Sequence, residues 1–187
     1  LKEQHLMTEV IYLRAKGGRA YGWGHVRRVL VLAGELRKQC NQVRLIIGVL
    51  GDEGVRAYLK SVKPFVEVVS FLENEDDDQE RYLRDLRPDI TVVDQLRVSP
   101  IEISMVRDCS GKVVVFNDLG LPYAGVDLVV CPQLLPIYPE IVGDNRGLFG
   151  PTYFLLTGKL RKRVVQKKPI REVARRILVV LGGSTTR

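Results

Sequence analysis

Short apolar runs of strand length alternate along the chain with longer segments whose apolar positions recur at helical spacing. Val10–Leu13 predicts a first strand, followed by a glycine-rich loop from Gly17 to Gly24. His25–Gln39 predicts a helix with Val26, Val29, Leu30, Leu32, Ala33 and Leu36 on its apolar face. Val43–Ile47 predicts a second strand, Glu53–Lys60 a short helix and Val66–Phe71 a third strand. The acidic run Glu73–Asp78 opens a helix carrying Tyr82, Leu83 and Leu86, because acids suit the partial positive charge of a helix N-terminus. Arg87-Pro-Asp89 is a stop, and Ile90–Val93 is then a strand ending in Asp94. Pro100 opens a helix over Ile101–Arg107. Val113–Phe116, ending in Asn117-Asp118, and Leu128–Val130 are further strands.

Strand and helix in alternation predict an α/β fold: a doubly wound, Rossmann-like parallel sheet with helices on both faces. In such sheets ligands bind beyond the carboxyl ends of the strands. That rule selects three places in this sequence: the glycine-rich loop, Asp94 and Asp118.

The end of the chain breaks the pattern. A Pro- and Gly-rich stretch, 132–158, is followed by a basic segment and then by the apolar run Ile177–Leu181 with Gly182-Gly-Ser-Thr-Thr186 after it. A strand and a glycine turn with no following helix repeat the opening of the first domain. The expected organisation is therefore an N-terminal Rossmann-like domain over 1–158, a basic linker or helix over 159–176, and the first strand and glycine loop of a truncated second domain over 177–187.

Charge changes the picture only once it is placed. The chain has 187 residues and a net charge of +7, yet 159–176 holds nine Lys or Arg against one Glu, leaving the body near neutral. Nucleic-acid binders spread bases over a face and interleave aromatics; this run has none, so no nucleic-acid partner is expected. The bland reading is a solvated linker. The alternative is a sticky patch making weak, salt-sensitive contact with an anionic membrane surface. No apolar run reaches the roughly 18 residues of a membrane span, and no apolar leader opens the chain, so a cytoplasmic protein is expected. Cys40, Cys109 and Cys131 form no metal-ligand spacing. Neither a metal nor a cofactor is expected.

The motif with most chemistry in it is Gly22-Trp-Gly-His25-Val-Arg-Arg28, between a strand and a helix. Glycines let the backbone approach a ligand closely, and the free amides of the next helix favour a phosphate. The spacing is neither the dinucleotide fingerprint nor a nucleoside-triphosphate loop. A histidine at a helix start is disfavoured as imidazolium, so His25 is expected to be neutral and able to accept a proton from water or a sugar hydroxyl. A capping or packing histidine is the competing reading. Trp23 reads equally as a packing anchor or a sugar platform, Arg28 as a cleft residue or a surface ion pair, and Asp118 as a site residue or a turn former.

The motif Gly22-x-Gly-His25-x-x-Arg28, with Leu30–Leu36 after it, resembles the N-terminal domain of the UDP-sugar hydrolase of pseudaminic acid biosynthesis and the related spore-coat polysaccharide proteins. The resemblance continues at Val92-Val-Asp94, Val115-Phe-Asn-Asp118, Val126-Asp-Leu-Val129, Phe149–Leu156 and Gly182-Gly-Ser184. It implies a glycosyltransferase B architecture, in which two Rossmann-like domains face a cleft and the second supplies most nucleotide contacts. It implies a UDP-sugar substrate, with His25 as base, Gly22 and Gly24 under the phosphates, and Arg28, Asp94 and Asp118 lining the cleft. Gly182, Gly183 and Ser184 would begin the second domain's phosphate loop. The chain departs from the hydrolase pattern at Lys16, where an acid is usual, at Leu96, where a tyrosine is usual, and at Asn117, which replaces the first of two adjacent acids. The expected function is a nucleotide-sugar enzyme acting at an anomeric carbon. It is most like the hydrolase, with an inverting glycosyltransferase or a non-catalytic anion-binding module as alternatives, and residues 1–187 alone are expected to turn over no substrate.

Overall fold

The structure, a computed structural model, describes residues 8–40, 42–62, 64, 66–134, 146–164, 173 and 179. Seven strands form one sheet: β1 (Val10–Gly17), β2 (Arg44–Gly51), β3 (Glu67–Leu72), β4 (Ile90–Asp94), β5 (Lys112–Phe116), β6 (Leu128–Cys131) and β7 (Arg146–Phe149). Their spatial order is β3-β2-β1-β4-β5-β6-β7, and every neighbouring pair is parallel. The helices are α1 (Gly24–Gln39), α2 (Glu53–Val62), α3 (Asp76–Leu86), α4 (Pro100–Cys109) and α5 (Gly158–Val164). The fold is the doubly wound, Rossmann-like α/β sheet that the pattern predicts.

Alternation along the strands sorts the core into two layers. Leu13 and Ala15 of β1 join Ile47, Val49 and Val92 in packing against Val26, Val29 and Ala33 of α1 and Val55 and Leu59 of α2. Tyr12 of β1 joins Ile46, Val93, Val113 and Val115 in packing against Leu83 of α3 and Ile103 and Val106 of α4. The strands are apolar on both faces because both faces are covered.

Two departures from the expected pattern have local causes. β5 and β6 pair in parallel, but residues 117–127 join them without a helix. Asn117 folds this connection by accepting from the Leu121 amide at 3.0 Å and donating to the Leu121 carbonyl at 2.6 Å. β7 lies within the Pro- and Gly-rich stretch 132–158, where no strand is predicted from sequence. It is a four-residue edge strand, Arg-Gly-Leu-Phe, none of it fully buried, so it has no alternating signature. The remaining part of the basic segment beyond α5, Val173 apart, and Ile177–Leu181, Val179 apart, lie outside the described residues. So do Gly182, Gly183 and Ser184.

The sheet changes winding direction between β1 and β4. From β1 the chain moves outward to β2 and β3, then returns to place β4 on the other side of β1. The loops leaving β1 and β4 therefore diverge and open a crevice at their carboxyl ends, where such folds bind ligands. Ala15 of β1 stands opposite Asp94 of β4 at that edge.

One close approach inside the sheet depends on a missing side chain. Gly48 of β2 lies under the Tyr12 ring; a Cβ there would fall 1.7 Å from the phenol oxygen and 2.3 Å from Cζ. Tyr12 is fully buried, so the ring has no room to withdraw. Gly48→Ala is expected to destabilise the chain by roughly 2–3 kcal/mol. Gly34→Ala, in α1 with open space at its Cβ position, is expected to be neutral or to stabilise by up to about 1 kcal/mol. Urea unfolding midpoints of the two variants check the contrast.

Candidate active site

The glycine-rich loop is a tight hairpin. Gly18 and Gly22 pair in antiparallel fashion, with amide-to-carbonyl distances of 3.0 and 2.7 Å. Both lie in the left-handed region, at φ 114° and 77°. The Asp52 carboxylate, at the end of β2, holds the hairpin from outside: it accepts the Arg19 amide at 2.9 Å and the Val55 amide at 3.0 Å. These backbone donors, Arg19 first, keep the Asp52 carboxyl below its ordinary range. A Cβ at Gly18 would meet Asp52 Oδ2 at 2.7 Å, so the turn needs glycine for space as well as for conformation. Trp23 then packs edge-on against Tyr58 of α2, ring centres 5.3 Å apart. It is a packing anchor.

The hairpin delivers the chain into α1, whose N-terminus receives no side-chain cap and has no acid in its first turn. His25 is in that first turn and is buried beside the end of β4. Its Nδ1 lies 2.8 Å from Asp94 Oδ1 and 3.3 Å from Arg28 Nη2. The shorter contact fixes the proton: Nδ1–H donates to the carboxylate, and in the neutral ring the lone pair sits on Nε2. Nε2 makes no hydrogen bond to the described residues.

Arg28, one turn further along α1, grips two carboxylates at once. Nε donates to Asp94 Oδ2 at 2.6 Å and Nη2 to Asp94 Oδ1. Nη1 and Nη2 donate to Asp118 Oδ1 and Oδ2, both at 2.8 Å. Two bidentate forks use all the planar geometry that a guanidinium offers. Its carbon also lies 4.7 Å from the centre of the Phe116 ring, a cation–π contact. Burial works against the charge on Arg28, but the hydrogen bonds to Asp94 and Asp118 outweigh it and hold the guanidinium above its ordinary range. Burial likewise opposes ionisation of Asp118, and the Arg28 hydrogen bonds and charge overcome it, so Asp118 lies below the usual carboxylate range. Gln133 adds a donor to Asp118 at 3.3 Å.

The structure thus brings together His25, Arg28, Asp94 and Asp118; of the two glycines read as site residues, Gly24 is exposed at the start of α1, whereas Gly22 is buried in the hairpin with its amide bonded to Gly18. Asp94 has no exposed surface, so it acts on the site only through its two neighbours. His25, Asp94 and Asp118 also offer three donor atoms within 4.8 Å of one another. A cation there would compete with Arg28, which already takes both carboxylates. The donor set is that of a guanidinium clasp and does not suit a resident metal.

A second polar cluster sits on the opposite face of β1, and the sequence reading did not anticipate it. Arg14 is fully buried. It donates to Gln79 Oε1 at 3.0 Å, Glu102 Oε1 at 3.3 Å and Gln95 Oε1 at 3.4 Å. Lys16 reaches the same Glu102 oxygen at 3.1 Å. Glu102 also closes the capping box of α4 with Ser99. Burial raises the Glu102 carboxyl, but the Ser99 amide, Gln95, Arg14 and Lys16 bring it down to about 2. The sequence signal that could have pointed to this cluster is the spacing Ser99-x-x-Glu102 ahead of an apolar run, which the placement of the helix start at Pro100 did not use.

No protein-family model matches the chain. It is 28% identical over 176 residues to an uncharacterized protein of Methanocaldococcus jannaschii, in an alignment covering 87% of this chain and 34% of that protein. A structural comparison pairs it with the MurG protein of Acinetobacter baumannii, with a TM-score of 0.47 and 14% identity, over 72% of this chain and 44% of that one. The chain spans about a third of the length of the curated relative it matches.

Removing the guanidinium would strand two carboxylates in a poorly solvated crevice. Arg28→Ala is expected to cost about 3–5 kcal/mol at neutral pH, read from urea unfolding. Acid should erode the wild-type chain by a separate route. Asp118 and Glu102 have folded pKa values below their unfolded ones, so their contribution is complete above the unfolded values of about 4. It is lost as pH falls through the folded values. For Glu102, at about 2 in the fold, the loss should be on the order of 2 kcal/mol. Unfolding free energies measured from pH 5 downward should fall progressively, and Glu102→Gln should flatten that decline.

Proposed function

We propose that this chain carries the base-bearing half of a nucleotide-sugar enzyme that acts at the anomeric carbon of a UDP-activated sugar. The observation that carries the reading is the buried Asp94–His25 pair at the switch point of the sheet, with Nδ1 held at 2.8 Å and Nε2 unengaged. In this reading Nε2 takes a proton from a hydroxyl or a water. The oxygen attacks the anomeric carbon, the bond from that carbon to the phosphate oxygen breaks, and UDP leaves with the electron pair. Asp94 stabilises the imidazolium that forms, as an orienting carboxylate does beside a catalytic histidine.

The phosphate falls to Gly24 and the uncapped amides of α1, with Gly22, whose own amide is held by the Gly18 carbonyl, shaping the turn that presents them. Arg28 is committed to Asp94 and Asp118; its part is to balance their charge and keep Asp94 aimed at His25. Asp118, partly exposed, is the carboxylate left to accept a sugar hydroxyl. Gly182, Gly183 and Ser184 belong to a second phosphate loop by their resemblance alone. The domain division at 158 and 176 is proposed on the same ground. The sequence motif favours the hydrolase; an inverting transferase would use the same atoms with a sugar hydroxyl in place of water.

The full-length protein should release UDP from UDP-sugars, and running the assay with and without acceptor sugars separates hydrolysis from transfer. His25→Asn should lower kcat by about 10²- to 10⁴-fold with little change in KM. Asp94→Asn should lower it by a comparable factor, since an amide no longer fixes the Nδ1–H tautomer. A His25→Asn enzyme with unchanged turnover would leave only anion binding at this site.

A further inference from the structure

The surface between α1 and α2 carries a different chemistry. α1 and α2 leave between them a groove of about 360 Å³, walled by Leu30, Val31, Tyr58, Val62 and Pro64. Arg27 and Thr157 complete its lining. Thr157 leads straight into α5, whose Lys159, Arg161, Lys162 and Arg163 are all exposed. Arg161 leans on Glu35 of α1 at 3.7 Å, so α5 is tied to the helix that forms one wall.

Apolar side chains are exposed among these cations. Leu160 is 51% exposed, and Tyr153 and Phe154, just upstream, are 39% and 49% exposed. The extended segment after Tyr153 turns Leu155 into the core, which sends Phe154 outward. Residues 151–163 contain four cations and no acid. Glu35, which faces α5, is already engaged by Lys38 at 2.7 Å as well as by Arg161.

We propose that this face is a docking surface for an anionic phospholipid bilayer. Clustered Lys and Arg attract an anionic leaflet within a Debye length. Leu160 between them and Tyr153 and Phe154 just upstream suit the boundary between headgroups and acyl chains. The groove walls are mostly aliphatic, which fits acyl carbon and offers little to stacked bases. This face is therefore a peripheral contact, salt-sensitive and reversible, with an apolar component that charge alone does not supply.

Vesicle sedimentation of the 187-residue chain tests this. Binding is expected to phosphatidylcholine vesicles containing about a third phosphatidylglycerol at roughly 0.1 M salt. It should be at least tenfold weaker on pure phosphatidylcholine and lost near 1 M salt. Lys159→Glu with Lys162→Glu and Arg163→Glu should weaken binding at least tenfold, and Phe154→Ser with Leu160→Ser severalfold, with circular dichroism checking that both variants fold. Equal binding to neutral vesicles, or binding that survives at molar salt, overturns the proposal. Unchanged binding of the charge-reversed variant overturns it too, since attraction would then reside in 165–176. Tighter binding to a single-stranded oligonucleotide than to anionic vesicles would make the face a nucleic-acid surface instead.

Discussion

The arrangement of the crevice depends on one guanidinium. Arg28 makes four charge-assisted hydrogen bonds to two carboxylates, and each partner comes from a different part of the sheet: Asp94 closes β4 and Asp118 follows β5. Without a cation between them these carboxylates would repel. With it, their charges are balanced and Asp94 has a fixed orientation. The His25 imidazole inherits that orientation through Nδ1. Burying such charges is costly, and the cost is offset here because nearly every lone pair and N–H in the cluster is used.

The sheet supplies the geometry for this at little expense. Parallel strands end at the same level, so residues that terminate β1 and β4 meet without any special bend. The reversal of winding at these two strands keeps the space above them open. The glycine hairpin then brings α1 in over the gap with His25 and Arg28 three residues apart, on one side of the helix.

Most of the fold was legible because doubly buried strands leave apolar runs that survive inspection one at a time. Val92-Val-Asp94 and Val115-Phe-Asn-Asp118 each announce a strand that ends in a polar residue, and the general rule for such sheets makes those ends candidates. What could not be read was pairing. Nothing in the sequence says that Arg28 reaches both aspartates rather than a surface acid, since the residues are 66 and 90 positions away. Nor could the Arg14 cluster be read: an arginine inside an apolar strand gives no sign of Gln79, Gln95 and Glu102 around it. β7 escaped for a different reason, because an edge strand with Arg and Gly in four residues has no periodicity to detect.

Asp52 ties the outgoing end of β2 to the hairpin that follows β1, and Trp23 rests on Tyr58 of the same helix. Two successive crossover connections are thereby fastened into a single block. A flexible flap over a bound molecule needs slack at its base, and this hairpin has none. Any shielding of a ligand from solvent must then come from elsewhere, with this hairpin serving as a fixed wall of the crevice.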